Sequence, residues 1–291
     1  MTPVKRDVTE RLGAHVSTQG GVHTAPRRGT AIGATAIQLF TKTPNQWKEP
    51  TLTDDMVRAF QMQRSESGVH EVVSHDSYLI NLASPDAELS RRSATSFEHE
   101  LRRCGRLGIR FLVSHPGNHI DRREAGMIRN ASAYSQCLKN VPGEVMVLIE
   151  TTAGTGTSLG SAFEELAELR QGIDAEVRHR IGFCADTCHM YSAGYDLVND
   201  YEEVWQRWER IVGLEHLFCL HLNDSKSPFA SHRDRHELIA EGSLGPEPFR
   251  RIMRDPRFRG IPKILETPKG TLDEVSNDRK MLRRLRKYAS G

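Results

Sequence analysis

Apolar positions along the chain gather into eight short runs, at residues 12–16, 36–40, 69–75, 110–115, 145–150, 181–186, 217–222 and 262–266. Many of these are continuously apolar rather than alternating, as parallel strands covered by helices on the outside should be. Between them the apolar positions spread to helical spacing, at 21–32, 53–67, 85–107, 122–140, 159–170, 200–212, 246–254 and 271–288. Local signals agree: Thr53 stands before Asp54 and Asp55 at a helix start, and Gly108 follows Leu107 at a helix end. Eight strands alternating with eight helices predict a (β/α)8 TIM barrel, α/β in class, as a single domain over residues 1–291. The polar stretch 223–245 is long for a connection in such a barrel, which marks it as functional.

Six of the eight runs carry at their end, or one residue before it, a residue able to bind a metal: His75, His115, Glu150, Asp186, His221 and Glu266. Barrel strands converge at their C-terminal ends, so these side chains face one mouth. His189 in DTCH and Asp234 and His236 in DRH join them from the adjoining loops. In an extended segment Asp234 and His236 would project to one side and Arg235 to the other. Taken singly, a strand-end histidine is ordinarily a hydrogen-bonded structural residue and a strand-end acid caps the next helix. Together, four carboxylates buried in one place without cations would be prohibitive. Imidazoles and carboxylates without thiolate favour zinc over manganese or iron. Nine ligands exceed one tetrahedral site, so two or three ions are expected. The four acids are neutralised by two divalent ions; three leave +2, enough for a hydroxide and one phosphodiester. Such a site suits phosphoryl hydrolysis. His15 and His119, at or beyond strand ends, are expected to support the ligands through hydrogen bonds.

Composition adds exclusions. A hydrophobic share of 37% and a charged share of 27% describe an ordinary soluble protein, and a net charge of +2 says nothing of a nucleic-acid partner. Five dispersed cysteines do not form a disulfide framework; Cys184 and Cys219 read as small core side chains, and the Cys184–Cys188 spacing lacks a second pair for structural zinc. The opening MTPVKRDVTE has no apolar segment and no run reaches the length of a membrane span, so no membrane partner and a reducing, cytoplasmic setting are expected. The basic run 279–287 reads as a solvated helix face.

The blocks GAHVSTQGG, QLFTK with QW after it, HDSYLINL, HPGNH, IETTAG, DTCHMYSAGYD, HLNDSK, DRH with EGSLG, and LETP occur in the order seen in the endonuclease IV family, and the chain resembles it from Gly13 to Pro268. The resemblance implies a DNA-repair hydrolase, an apurinic/apyrimidinic endonuclease of (β/α)8 fold. It would cut duplex DNA 5′ to an abasic site, leaving a 3′-hydroxyl and a 5′-deoxyribose phosphate. It implies three zinc ions, with manganese able to replace one. His75 and His115 would hold the first, Glu150 would bridge to the second, Asp186, His221 and Glu266 would complete that one, and His189, Asp234 and His236 would hold the third. Glu150 and Glu266 would be the catalytic carboxylates. Tyr78 and Leu79 match positions that enter the DNA at the lesion, where a missing base leaves a gap for a wedge. Asn45 and Trp47 fall in a second DNA-facing loop, where Asn45 stands in place of a frequent Arg. Thr151 replaces a common Asn and Ala240 a frequent Gly. A monomer is expected. The alternative within this architecture is a metal-dependent sugar isomerase or epimerase, which needs fewer ligands; a non-catalytic DNA-binding barrel is a third reading that complete ligand filling argues against.

Overall fold

The computed structural model describes residues 10–270 and 274–290. Eight parallel strands close a barrel: β1 (Leu12–His15), β2 (Ala36–Phe40), β3 (Glu71–His75), β4 (Phe111–Ser114), β5 (Met146–Glu150), β6 (Ile181–Asp186), β7 (Leu217–His221) and β10 (Lys263–Leu265), the last pairing back onto β1. The remaining two, β8 (Asp224–Ser225) and β9 (His236–Glu237), form a small antiparallel hairpin inside the 223–245 stretch. Helices α1 (Ala25–Ile32), α2 (Asp54–Ser67), α3 (Ala87–Leu107), α4 (Arg123–Asn140), α5 (Phe163–Gly172), α6 (Thr187–Ser192), α7 (Tyr201–Ile211), α8 (Glu247–Arg254) and α9 (Glu274–Ser290) fill the connections. The start expected for the last helix at Thr271 lies outside the described residues, as does the segment 1–9.

The barrel carries two cores. An outer one fills the space between strands and helices, with Phe97, Tyr134, Phe163, Trp205 and Trp208 among its largest buried side chains. The inner one is a layer of Ala36, Val73, Phe111, Val113, Leu148, Cys184, Cys219 and Ile264. Side chains repeat along a strand with period two. Residues two steps beyond Val73, Val113, Leu148, Cys184, Cys219 and Ile264 are His75, His115, Glu150, Asp186, His221 and Glu266. The inner plug and the layer above it are thus successive rungs of the same inward face, which is why the candidate ligands converge.

Closure of the barrel constrains one residue sharply. A Cβ on Gly13 would stand 1.5 Å from the carbonyl oxygen of Ala36, so β1 can pair with β2 only if that side chain is absent. Two helix ends behave as their sequences suggest. The Thr53 side chain caps α2 by accepting from Met56 N, and Gly108 ends α3 in the left-handed region at φ 70°. All five cysteines are free and buried. Among the described residues no helix is long and apolar enough to cross a membrane.

Candidate metal centre

The ligand atoms of the nine candidates meet at the C-terminal mouth in three groups, each with its atoms within 4.8 Å of one another: His75, His115 and Glu150; Glu150, Asp186, His221 and Glu266; and His189, Asp234 and His236. Local structure explains the delivery. His75, Glu150, Asp186 and His221 end barrel strands, and His115 and Glu266 follow the last residue of theirs directly. Asp186 also caps α6, its Oδ1 accepting from His189 N at 2.9 Å, which turns the His189 ring back toward the mouth. The β8–β9 hairpin, which no apolar period announces, pairs Ser225 with His236 and so swings the DRH segment over the barrel. The buried Asp224 carboxylate pins the far side of that loop by accepting from Leu244 N and Gly242 N. Asp234 and His236 do face each other, at 3.2 Å.

The tautomers are fixed by the outer hydrogen bonds. His75 Nδ1 donates to the Asp76 carbonyl at 2.9 Å, His189 Nδ1 to the Thr151 carbonyl at 2.8 Å and His236 Nδ1 to the Glu266 carbonyl at 3.2 Å. A carbonyl only accepts, so in each ring the other nitrogen presents its lone pair inward. Gln38 does the same for His221: its Nε2 donates to Glu266 Oε1 at 2.5 Å, and its Oε1 accepts from His221 Nε2 at 2.7 Å. The inward nitrogens confront carboxylate oxygens. His75 Nε2 lies 3.2 Å and His115 Nε2 3.3 Å from Glu150 Oε2; His221 Nδ1 lies 2.8 Å from Glu150 Oε1 and 3.3 Å from Glu266 Oε2. His189 Nε2 lies 3.2 Å from Asp234, and both it and His236 Nε2 are buried without a hydrogen-bond partner.

Lone pairs set against carboxylates require a cation between them, either a proton or a metal ion. Without metal the histidines take the protons. Burial opposes the imidazolium, yet Glu150 raises His75 to about 9, and Asp186 with Asp234 raises His236 to about 9. His115, for which burial prevails, falls to about 4 and is neutral. Burial also pushes the Glu150 carboxyl upward, but His221 and His189 outweigh it and hold the acid well below its usual range. Two ligands on one tetrahedral zinc stand about 3.3 Å apart. The contacts here run from 2.8 to 4.0 Å, so the donor set fits divalent ions.

The centre opens into a cavity of about 520 Å³ lined also by His15, Phe40, Tyr78 and Lys269. A second cavity of about 540 Å³ shares His115, His189 and Asp234 and runs on past Asn118 to Arg233 and Arg235. Tyr78 and Leu79 lie in a turn well before α3. Tyr78 is 68% exposed and rests edge-on against Phe40 with ring centroids 5.2 Å apart. Partial loss of solvent at the cavity wall, together with the carboxylates of Glu266, Glu150 and Asp234, pushes its hydroxyl up to about 12, so it stays neutral. Asn45 is exposed; Trp47 is half-buried beneath the Arg92 guanidinium, 4.6 Å from its ring centroid.

Of the expected supporting residues, His15 sits 3.8 Å from Glu266 and against Gln38, whereas His119 packs on Gly126 of α4 instead of reaching the cluster. Thr151 supports the centre despite replacing Asn, because its hydroxyl accepts from Asp186 N at 2.9 Å. Two residues escape the sequence reading. Asn223 donates to Asp186 Oδ2 at 2.6 Å and accepts from Glu266 N at 2.9 Å; Gln38 bridges Glu266 and His221. A glutamine inside the apolar run AIQLF, two steps past inward Ala36, is the available signal for the second.

Comparison with known proteins places this mouth in a class. A family model described as a xylose isomerase-like TIM barrel matches residues 27–288, and the chain is a barrel of that class. Within it, 272 residues are 46% identical to the probable endonuclease 4 of Trichlorobacter lovleyi, spanning 92% of this chain and 96% of that one. The probable endonuclease 4 of Chloroflexus aurantiacus is 43% identical over 97% of this chain and 99% of its own. The crystal structure of endonuclease IV from Thermus thermophilus matches with a TM-score of 0.85 at 35% identity, covering 96% of this chain and 99% of that chain. The chain belongs to the endonuclease IV family.

Proposed function

We propose that the chain is a hydrolytic endonuclease that cuts duplex DNA 5′ to an abasic site, using three zinc ions and leaving a 3′-hydroxyl and a 5′-deoxyribose phosphate. The observation that carries this reading is the set of inward imidazole lone pairs confronting the shared Glu150 carboxylate and its neighbours at the mouth. His75, His115 and Glu150 are assigned to one ion, Glu150, Asp186, His221 and Glu266 to a second, and His189, Asp234 and His236 to a third. Divalent ions held there supply Lewis acidity toward a phosphate and lower the pKa of water to the neutral range.

The chain's own groups do the rest. Glu150, with one oxygen toward each of the first two groups, fixes their spacing. Glu266, anchored by Gln38, keeps its other oxygen toward His221 and the centre. The neutral, exposed Tyr78 ring stands over the same cavity, with Leu79 beside it, where an aromatic face can occupy the gap left by a missing base. Asn45 and Trp47 lie on the β2–α2 loop, which Ser77 beside Tyr78 ties down by donating to the Pro44 carbonyl. Arg233 and Arg235, along the adjoining cavity, offer positive charge to a phosphate backbone. A sugar isomerase has no use for the His189–Asp234–His236 group, whose contacts are as close as those of the other two.

The test is incubation of the zinc-loaded protein with a duplex carrying one tetrahydrofuran site. A single nick on its 5′ side with an extendable 3′-hydroxyl is expected; an uncut duplex would remove the reading.

A further inference from the structure

The loop 41–53 between β2 and α2 has no regular secondary structure, yet charged groups are buried beneath it. Lys42 and Arg103 are each 5% exposed and Glu100 is fully buried. Lys42 Nζ donates to Glu49 Oε1 at 2.7 Å and to Ser96 Oγ at 3.0 Å. Arg103 donates through Nε to Thr41 Oγ1 at 2.8 Å and through Nη1 to Glu49, while its Nη2 lies 2.9 Å from Glu100. Thr41, Lys42 and Glu49 belong to the loop; Ser96, Glu100 and Arg103 belong to α3. The two cations and two anions balance across the contact.

The same helix holds the other lesion-facing loop. Asp86 caps α3 through Leu89 N, Ser93 Oγ of α3 accepts from Asn81 N, and Ser77 Oγ donates to the Pro44 carbonyl, tying the two loops together beside Tyr78. Arg92 of α3 covers Trp47. An apolar contact could hold a loop down equally well. Buried balanced ion pairs add little stability over apolar side chains of the same volume, and their best-attested use is to select one arrangement.

We propose that Lys42 and Glu49 on the loop and Glu100 and Arg103 on α3 are positioning residues for lesion recognition, holding Asn45 and Trp47 in fixed relation to Tyr78. The inference rests on the abasic-DNA reading above.

The experiment uses the full chain, loaded with zinc, as Lys42→Met/Glu49→Leu, which exchanges the pair of buried Lys42 and half-buried Glu49 for apolar volume. Glu49→Gln, which keeps shape and loses charge, serves if the double variant does not fold. Trp205 and Trp208 are fully buried, so acrylamide quenching of tryptophan emission reports on Trp47. Quenching is expected to rise, and the Kd for a tetrahydrofuran duplex to weaken about tenfold, the loss expected when one stacking contact goes. Affinity for intact duplex, bound zinc and turnover at saturating substrate should hold. Wild-type quenching together with wild-type abasic preference in the variants would overturn the proposal, as would equal loss on abasic and intact DNA. Wild-type protein that shows no abasic preference would instead sink the functional reading, and this proposal with it.

Discussion

The side-chain amide of Gln38 decides which nitrogen of His221 faces the centre. Its Oε1 accepts from His221 Nε2 at 2.7 Å, and its Nε2 is committed to the Glu266 carboxylate, which cannot donate. The amide therefore cannot flip without losing both bonds, and His221 Nδ1 is left as a lone pair toward Glu150 and Glu266. Gln38→Met removes both bonds while nearly preserving volume. Groups that orient a metal-bound histidine are worth about 10- to 100-fold in metal affinity. Competition with a zinc chelator should show a loss of that size in the variant; unchanged retention would mean that the imidazole is oriented by packing alone.

Glu150 is expected to be indispensable for chemistry and dispensable for the fold. Its carboxylate faces His75 and His115 with one oxygen and His221 with the other, and it is fully buried. Glu150→Gln keeps the shape and withdraws the charge shared by the first two groups. Turnover should drop on the order of a thousandfold or more, the scale seen when a preorganised electrostatic group is lost. Circular dichroism of the metal-free form should remain that of the parent. Wild-type turnover in the variant would contradict the bridge.

How much of this can be read from the chain depends on whether a residue's role follows from period and position. The strand-end residues are legible because a barrel strand alternates, so an acid two steps past Leu148 must face where Leu148 faces. The His189 and DRH contributions are legible only as candidates, since their delivery depends on the short α6 and on the two-residue strands of the hairpin, elements too brief to leave a period. The Lys42–Glu49–Arg103–Glu100 network is not legible at all: its members lie up to 61 positions apart, and nothing local marks Lys42 or Arg103 as buried. His119 misleads for the related reason that it stands just beyond a strand end in sequence, whereas β4 stops at Ser114 and His119 comes to lie against Gly126 of α4.

Ala240 gives a stability prediction from one of the departures in sequence. It takes φ 64°, in the left-handed region that a Cβ disfavours by roughly 1–2 kcal/mol. Ala240→Gly relieves that and returns part of the gain through the freer unfolded chain, leaving about 0.5–1 kcal/mol. A thermal midpoint a degree or two higher is expected by calorimetry. A lower midpoint would mean that the methyl packs usefully in the loop held by Asp224.

Tyr78 should discriminate rather than merely bind. Its ring is largely exposed and leans on Phe40, so truncation leaves little of the core disturbed. Stacking of an aromatic side chain on a base contributes about 1–3 kcal/mol. Tyr78→Ala should therefore weaken binding to a tetrahydrofuran duplex by at least about fivefold, and binding to the intact duplex far less. Equal losses on the two duplexes in a fluorescence-anisotropy titration would argue against a wedge at the lesion.

The centre also predicts how metal removal depends on pH. In the metal-free protein His75 and His236 stand at about 9, raised above the ordinary 6.5 by neighbouring carboxylates that outweigh burial. An imidazole whose pKa rises on folding contributes stability that is fully present below 6.5 and is lost as pH climbs through 9. Glu150 and Glu266 are depressed and change protonation only far below this window. Protons and divalent ions compete for the same lone pairs, so the loaded protein gains as those protons leave. The melting midpoint of the zinc-loaded protein minus that of the chelated protein should therefore widen steadily from pH 6 to pH 9. A difference that stays flat or narrows across that range would mean that the inward nitrogens are not where the metal is held.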